Sequence, residues 1–286
     1  MKLHKPTTIS EAVGLLAGDE EARCLAGGAT LVAMMNADLV QPSALISLRH
    51  VEELKGIRKG SDGDITIGAM TTHKAVADFD GFSDAQRLVG QAAGRIGHPP
   101  IRAMGTIGGS IAHGDPAADY PAALLAANAG IETVGPEGER TISAAEFFVD
   151  FFENVLGHGE LVRAVTLPPG PEGAVSVYEK LTRTDGDFAT VSIALVLAMN
   201  GKKCTDLHLA AGGCNSVPVR VAAAEECLID TSLSDAEIDR AAALLTEACD
   251  PLDDVRASAR YRLRVLPGMV RRAVEAARRA WERKHG

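Results

Sequence analysis

Two short glycine-centred segments are the parts of this chain whose residue types best suit ligand chemistry. Residues 25–31 read Leu-Ala-Gly-Gly-Ala-Thr-Leu, and residues 106–110 read Thr-Ile-Gly-Gly-Ser. Glycine permits positive φ angles that turn several backbone N–H groups toward one point, and it lets an anion approach them closely. A hydroxyl beside each glycine pair adds a further donor. Together the two segments predict a cofactor pyrophosphate held from two sides.

Polar side chains surround the second segment. Arg102 precedes it, and His113, Asp115 and Asp119 follow it. A turn at Asp115-Pro116 and a helix N-cap at Asp119 explain the acidic residues without a ligand. A metal site built on His113 and the two carboxylates is the weaker alternative, because the ligand set is incomplete.

The familiar nucleotide and hydrolase motifs are absent from the sequence. No G-x-G-x-x-G follows a strand, no glycine loop ends in Gly-Lys-Ser/Thr, and no G-x-S-x-G occurs. Taken alone, the Gly-Gly pair at residues 27–28 is better explained by a tight strand-to-helix connection with no ligand. The recurrence of the pattern at residues 108–109 favours a ligand in a fold that is neither Rossmann nor P-loop.

The composition is that of a soluble globular protein and excludes one class of partner. The 286 residues are 46% hydrophobic and 23% charged. A net charge of −9 and an aromatic content of 4% offer neither a basic surface nor stacking platforms. We therefore expect no nucleic-acid partner.

Targeting signals and cysteine usage predict a cytoplasmic protein without a membrane span. The first residues carry no signal-peptide pattern, and the longest apolar run, residues 191–199, is too short to cross a bilayer. The five cysteines are scattered and include no C-x-x-C. They predict reduced thiols, and they argue against a zinc or iron–sulfur site in this chain.

Local signals predict the elements that position the first glycine turn. Thr8 and Glu11 form a capping-box pattern for a helix that ends near Gly18. Residues 24–26 favour a buried strand that runs into the turn, and residues 31–35 favour a helix that leaves it. This order would place a helix N-terminus beside the turn.

The second turn is predicted to follow a helix over residues 83–95 and a break at Pro99-Pro100. The break should give an extended approach to the turn. A tightly packed helix is predicted over residues 117–127. A proline- and glycine-rich segment at residues 167–173 is the best candidate for a linker. After it, three strands are predicted at residues 175–181, 191–199 and 207–211. Two helices follow, one that begins after Ser234 and one over residues 267–284, so the whole pattern is α+β.

At these residues the chain resembles the FAD-binding medium subunits of the molybdenum hydroxylases. This family includes carbon monoxide, nicotine and caffeine dehydrogenases and the flavin domain of xanthine dehydrogenase. The resemblance rests on residues 25–31, 101–119, 178–181 and 186–190 and runs through nearly the whole chain. Residues 101–119 are its most specific part.

The resemblance implies an α+β architecture in two parts. Residues 1–170 would form a two-lobed PCMH-type FAD-binding domain, with lobes at about residues 1–58 and 59–170. Residues 174–286 would form a smaller C-terminal domain, a three-stranded sheet with helices, that closes over the cofactor.

The resemblance also implies which residues bind the cofactor. The two turns would hold the FAD pyrophosphate, while a carboxylate, a lysine and two apolar residues would contact the cofactor elsewhere. Without the resemblance, the lysine would be a solvated strand residue. The implied FAD-binding residues are Ala26, Gly27, Gly28, Ala29, Thr30, Leu31, Ile96, Thr106, Ile107, Gly108, Gly109, Ser110, Asp119, Val162 and Lys180.

Three positions depart from the family pattern. Ala29-Thr30 stands where His-Ser is frequent, so a hydroxyl is kept and an imidazole ring is lost. Ser110 stands where Asn is common, and Phe188 stands where some relatives carry Tyr. Because the pyrophosphate grip depends largely on backbone amides, FAD binding is still expected.

The implied function is electron transfer within a complex. Electrons would pass from [2Fe-2S] clusters on a small subunit through FAD to an external acceptor. The substrate, an N-heterocycle or an aldehyde, would be hydroxylated at a molybdopterin-bound molybdenum in a large subunit. The expected assembly is a dimer of heterotrimers. The alternatives are a stand-alone FAD-dependent oxidase and a non-catalytic scaffold subunit that has lost FAD.

Overall fold

Three main sheets, each packed against its own helices, organise the chain in a computed structural model that describes residues 1–286. The first sheet is parallel, in the order β1-β3-β2. Its region contains β1 (Lys2–His4), α1 (Ile9–Ala17), β2 (Arg23–Leu25), α2 (Leu31–Asn36) and β3 (Ala44–Ser47).

Helix α1 begins as its sequence predicts. The Thr8 hydroxyl accepts a hydrogen bond from the Glu11 N–H, and Gly18 caps the other end. Strand β2 leads directly into the first glycine turn, and α2 leaves it at Leu31. The predicted strand–turn–helix order is therefore confirmed.

The second sheet is antiparallel, in the order β4-β5-β10-β6-β7. Strand β4 crosses the expected lobe limit at residues 58 and 59, and it pairs with β5 in this second sheet. The region contains β4 (Ile57–Lys59), β5 (Ile65–Gly68), α3 (His73–Ala77), α4 (Arg87–Arg95), α5 (Pro99–Met104), α6 (Ile107–His113), α7 (Asp119–Ala126), β6 (Gly130–Gly135), β7 (Gly138–Ser143), α8 (Ala144–Phe147), β8 (Phe148–Asp150), β9 (Glu153–Asn154) and β10 (Leu161–Leu167).

The prediction of an extended segment after Pro99-Pro100 is wrong. Both prolines occupy the first turn of α5, which continues to Met104. Proline is tolerated there because the first N–H groups of a helix have no partner within the helix and its fixed φ suits the helix start. Helix α4 also begins later than predicted, at Arg87.

The C-terminal region consists of a third, antiparallel sheet covered by helices. The three predicted strands are present, and a two-residue fourth strand extends the order to β11-β12-β13-β14. The elements are β11 (Val175–Leu181), β12 (Val191–Asn200), β13 (Lys203–Gly212), β14 (Val219–Arg220), α9 (Ala222–Glu226), α10 (Asp235–Glu247) and α11 (Ala259–His285).

The two helices predicted in this region are present, but α11 is longer than expected. The capping box at Ser234 and Glu237 starts α10. Helix α11 starts at Ala259 because the Ser258 hydroxyl accepts from the Tyr261 N–H, so Pro267 lies inside the helix. No helix has both the length and the apolar composition required to cross a bilayer.

Helix α7 joins the second sheet region to the third. All eight of its residues are buried. Its last carbonyls accept from C-terminal side chains: Ala126 O lies 2.9 Å from His208 Nδ1, and Leu125 O lies 3.2 Å from Arg220 Nη1. Its first residue, Asp119, faces a cavity, so packing at one end of α7 fixes a carboxylate at the other.

Candidate functional site

A cavity of about 730 Å³ opens between the two N-terminal sheet regions. Phe188 is the one residue that the C-terminal region adds to its wall. Of the residues predicted to bind a cofactor, Ile107 and Lys180 do not line the cavity. Those that do are Ala26, Gly27, Gly28, Ala29, Thr30, Leu31, Ile96, Thr106, Gly108, Gly109, Ser110, Asp119 and Val162.

The first glycine turn presents an unbroken run of free backbone donors to the cavity. None of its N–H groups donates to an acceptor of the protein, and the Thr30 hydroxyl caps no N–H group. Gly28 has a φ of +80°, which helps to turn the donors toward one point. A row of unpaired donors at a helix N-terminus is an anion-binding arrangement. The six residues are Ala26, Gly27, Gly28, Ala29, Thr30 and Leu31.

The second turn differs, because most of its amides already have partners. The N–H of Ile107 donates to Thr71 O at 3.0 Å, and that of Gly108 donates to Ala69 O at 2.9 Å. The N–H of Gly109 donates to the Thr106 hydroxyl, which caps α6. The Ile107 side chain is fully buried in the core.

What the second turn does present to the cavity is a smooth wall with a few donors. The Thr106 N–H and the Ser110 hydroxyl have no acceptor in the protein. A Cβ on Gly108 would overlap Ala69. Glycine at this position therefore allows the turn to pack against the strand region beneath it.

The two turns touch each other. A Cβ on Gly27 would overlap the Met104 carbonyl oxygen and would lie 2.8 Å from the Cα of Gly105. Glycine is required at position 27 because the backbones approach this closely. A Cβ on Gly109 would also lie 3.4 Å from the Cβ of Ala26, so Ala26 and Gly27 of the first turn lie beside the second turn and the residues that lead into it.

Asp119 anchors a buried polar cluster at the cavity wall. Its Oδ2 accepts from Lys180 Nζ at 2.9 Å, and its Oδ1 accepts from the Tyr178 hydroxyl at 2.7 Å. Lys180 Nζ also donates to Arg95 O at 3.1 Å. Burial raises the pKa of Asp119, and the contacts with Lys180 and Tyr178 oppose that increase. Lys180 therefore reaches the cavity only through Asp119.

The other polar residues near the second turn have local structural roles. Asp115 Oδ1 accepts from the Ala117 N–H at 2.8 Å, as expected for a turn at Asp115-Pro116. Asp119 is the first residue of α7, and Ala118 occupies the N-cap position. The alternative that Asp119 caps the helix is therefore wrong. The His113 ring lies 5.2 Å from the ring of Phe152 at the cavity wall.

His73 is a wall residue that is not predicted from the sequence. It begins α3, its residue surface is 5% exposed, and its Nδ1 lies 3.1 Å from the Tyr120 hydroxyl. Burial, with a contribution from Arg102, lowers the pKa of His73 to about 4. A lone histidine after two threonines carries no recognisable spacing signal, so only the fold brings it to the cavity.

At the cavity mouth, Phe188 is held by a cation. Phe188 is 42% exposed, and the guanidinium carbon of Arg256 lies 4.9 Å from the centroid of its ring. The adjacent Ala189 N–H donates to Ala117 O at 3.2 Å, which ties the loop to the segment before α7. The mouth thus has an apolar ring fixed from two sides.

These features fit a ligand that has both an anionic group and an apolar ring. The free amides of the first turn match a diphosphate, and apolar residues such as Ile96 and Val162 line the remaining wall. The volume lies within the range typical of cofactor sites. The donor set and the volume together suit a dinucleotide.

Comparison with known proteins places the chain in a family. Residues 1–170 match the family described as the FAD binding domain in molybdopterin dehydrogenase. Residues 176–277 match the CO dehydrogenase flavoprotein C-terminal domain.

Individual relatives match through nearly their whole length. The chain is 38% identical to the carbon monoxide dehydrogenase medium chain of Afipia carboxidovorans, covering 96% of each. It is 36% identical to the 6-hydroxypseudooxynicotine dehydrogenase complex subunit alpha of Paenarthrobacter nicotinovorans, covering 94% of this chain and 92% of the relative. A chain of the reconstituted CO dehydrogenase from Oligotropha carboxidovorans superposes with a TM-score of 0.93 at 37% identity, covering 97% of each. The protein therefore belongs to the family of FAD-binding medium subunits of molybdenum hydroxylases, and it is a subunit of an oxidoreductase.

Proposed function

We propose that this chain is the electron-transfer subunit of a molybdenum hydroxylase complex and holds FAD in the 730 Å³ cavity. Electrons enter from iron–sulfur clusters on a small partner subunit and leave to an external acceptor. The substrate, an N-heterocycle or an aldehyde, is hydroxylated in a large molybdenum subunit. The complex is a dimer of such heterotrimers. It is cytoplasmic, in keeping with the five free cysteines of this chain.

The observation that carries the proposal is the row of six unpaired N–H groups from Ala26 to Leu31. Residues 26–31 are half-buried or exposed at the cavity, so these donors are open to a ligand, and free N–H groups at a helix N-terminus suit an anion. A diphosphate placed here accepts from several amides at once, and the Thr30 and Ser110 hydroxyls add donors from the two turns.

The remaining proposed contacts divide by their chemistry. Ile96 and Val162 pack against the cofactor, while Asp119 contacts it through a carboxylate held by Lys180. Gly108 and Gly109 contribute the smooth backbone wall of the second turn. Ile107 supports that wall from the core.

Bound FAD would supply the ability to take up electrons singly and release them in pairs. The chain's own residues bind and orient the cofactor and keep water from it; no acid or base is required of them. In this proposal the iron–sulfur clusters and the molybdenum belong to partner subunits; in this chain, no three His, Cys, Asp or Glu side chains are placed together to hold a metal ion. The two N-terminal lobes, which meet at about residue 58, form the cavity, and residues 174–286 close it at Phe188.

The test of FAD binding uses the full chain and a pair of hydroxyl variants. Titration of the chain with FAD, followed by quenching of flavin fluorescence, gives Kd. We expect Thr30→Val to weaken binding about tenfold, since hydrogen bonds to charged groups contribute about 1.5–3 kcal/mol. Thr205→Val, at an exposed threonine of β13, is the matched control and should leave Kd unchanged.

The test of the electron route uses the native complex. Its partner chains are identified by mass, and its flavin absorbance is followed while a panel of aldehydes and N-heterocycles is added without an acceptor. Bleaching of the flavin supports the proposed route. Turnover by the isolated chain would instead indicate a stand-alone oxidase, and a colourless chain that does not bind FAD would indicate a scaffold subunit.

A further inference from the structure

We propose that His73 is a cofactor-binding residue whose neutral imidazole donates a hydrogen bond from Nε2 to the pyrophosphate of FAD. Tyr120 is the residue that positions this donor. The inference rests on the proposed function, since it assigns a further contact in the same cavity.

The burial of Tyr120 fixes which nitrogen of His73 carries the proton. The Tyr120 side chain is fully buried, and its hydroxyl has one hydrogen-bond partner in the protein, His73 Nδ1 at 3.1 Å. If Nδ1 carried the proton, the buried phenol would donate to nothing, which is costly. The phenol therefore donates to Nδ1, and the proton of the neutral ring is on Nε2.

Nε2 is then a donor without an acceptor in the protein. His73 is only 5% exposed, yet it forms part of the cavity wall. No protein group forms a hydrogen bond with its Nε2. The Nε2 atom keeps accessible surface where His73 lines the cavity, so an acceptor on a bound ligand can reach it. The low pKa of His73, about 4, keeps the ring neutral at physiological pH.

The position of Nε2 selects the pyrophosphate as its acceptor. Nε2 would lie 2.6 Å from a Cβ on Gly105, and the His73 N–H donates to Gly105 O at 3.0 Å. Gly105 is also the residue against which Gly27 of the first turn packs, at 2.8 Å from a Cβ placed there. The imidazole and Gly27, which belongs to the turn with the free amides, therefore flank the same glycine.

The first experiment measures the tautomer and its response to ligand. The full chain is labelled with ¹⁵N-histidine, and the His73 signals are assigned by their loss in His73→Gln. We expect the Nε2–H tautomer, a shift of its Nε2 signal when FAD is added, and a mixture of tautomers in Tyr120→Phe. An Nδ1–H tautomer in the wild type, or an Nε2 signal that FAD leaves unmoved, would overturn the inference.

The second experiment measures affinity for FAD and for ADP, which carries the same diphosphate. His73→Leu should weaken both by about tenfold to a hundredfold. His73→Gln, whose side-chain amide can donate from a similar position, should recover most of the loss. His50→Leu and His50→Gln, at an exposed histidine, are the matched controls.

The outcomes separate this inference from the proposed function. If the wild type binds FAD and His73→Leu binds it equally well, or if only FAD and not ADP is affected, the inference is wrong and the proposed function stands. If the wild type binds no FAD, the proposed function fails and the inference fails with it. If His73→Leu does not fold, the tautomer and its FAD response in the wild type decide the matter.

Discussion

Replacing Lys180 by methionine should destabilise the chain strongly, because it removes one partner of a buried ion pair. The side chains of Lys180 and Asp119 are 2% and 4% exposed, and Nζ lies 2.9 Å from Oδ2. The variant leaves the Asp119 carboxylate with the Tyr178 hydroxyl as its hydrogen-bond donor, and it leaves Arg95 O without the ammonium. Methionine keeps the length and the packing of the aliphatic stem.

The size of the effect is bounded from two sides. Breaking a buried pair by removing one partner costs about 3–5 kcal/mol. The buried carboxyl of Asp119 can escape the cost of its charge by taking up a proton. From its ordinary pKa of 3.8, protonation at pH 7 costs about 4.4 kcal/mol. We therefore expect the free energy of unfolding to fall by about 4 kcal/mol at pH 7.

The loss of stability in Lys180→Met depends on pH. In the variant, the pKa of Asp119 in the folded chain lies above its unfolded value. The penalty is then fully present above the raised pKa and disappears as pH falls toward 3.8. The difference between wild type and variant should be clearly smaller at pH 4.5 than at pH 7.

The assay is urea unfolding of the full chain, followed by circular dichroism at both pH values. The double variant Asp119→Asn/Lys180→Met carries no buried charge at this site and should recover much of the loss. Lys74→Met, which removes an exposed i,i+4 pair with Asp78, is the matched control and should change stability by less than about 0.5 kcal/mol. A loss below about 1 kcal/mol in Lys180→Met, or a loss that is equal at both pH values, would refute the reasoning.

Three further predictions concern the cavity and its supports. Gly27→Ala should weaken FAD binding at least about tenfold in a fluorescence titration, since its Cβ would overlap the Met104 carbonyl; Gly14→Ala, which meets no atom, should not. As pH falls from 6.5 to 4, the unfolded chain takes up a proton at His73 before the folded chain does, so the free energy of unfolding falls by about 3 kcal/mol. His73→Gln should remove this fall when the free energy of unfolding is measured in urea as a function of pH. Arg262→Met should lower the free energy of unfolding by about 3 kcal/mol, because the buried guanidinium binds two loop carbonyls and a carboxylate; an unchanged urea midpoint would contradict this.

Local signals gave reliable predictions wherever a few neighbouring residues settle the geometry. The helix starts at Thr8 and Ser234 are confirmed because a side-chain oxygen needs only the N–H three residues later. The start of α11 was missed because Pro267, a good first-turn residue, is also accommodated inside the helix. The segment after Pro99 was misjudged because prolines can begin a helix as well as end one.

The candidate site was also predictable from the sequence only in part. The glycine pairs could be found in the sequence because glycine is needed for close backbone approach and positive φ. Their different roles could not be found there. Two amides of the second turn, those of Ile107 and Gly108, are paired with Thr71 and Ala69, which lie more than thirty positions earlier in the chain, whereas the amides of the first turn have no partner.

The amino-acid sequence by itself determined the family, the α+β order of elements and the two glycine turns, because each is encoded in short stretches of residues. The tertiary structure alone decided which turn offers free donors, that Lys180 reaches the cavity through Asp119, and that His73 stands at the wall above Tyr120. Those outcomes depend on residues distant in sequence that meet only after the sheets have packed. Burial then sets their protonation, since a charge or an unpaired donor is costly only once water has been removed.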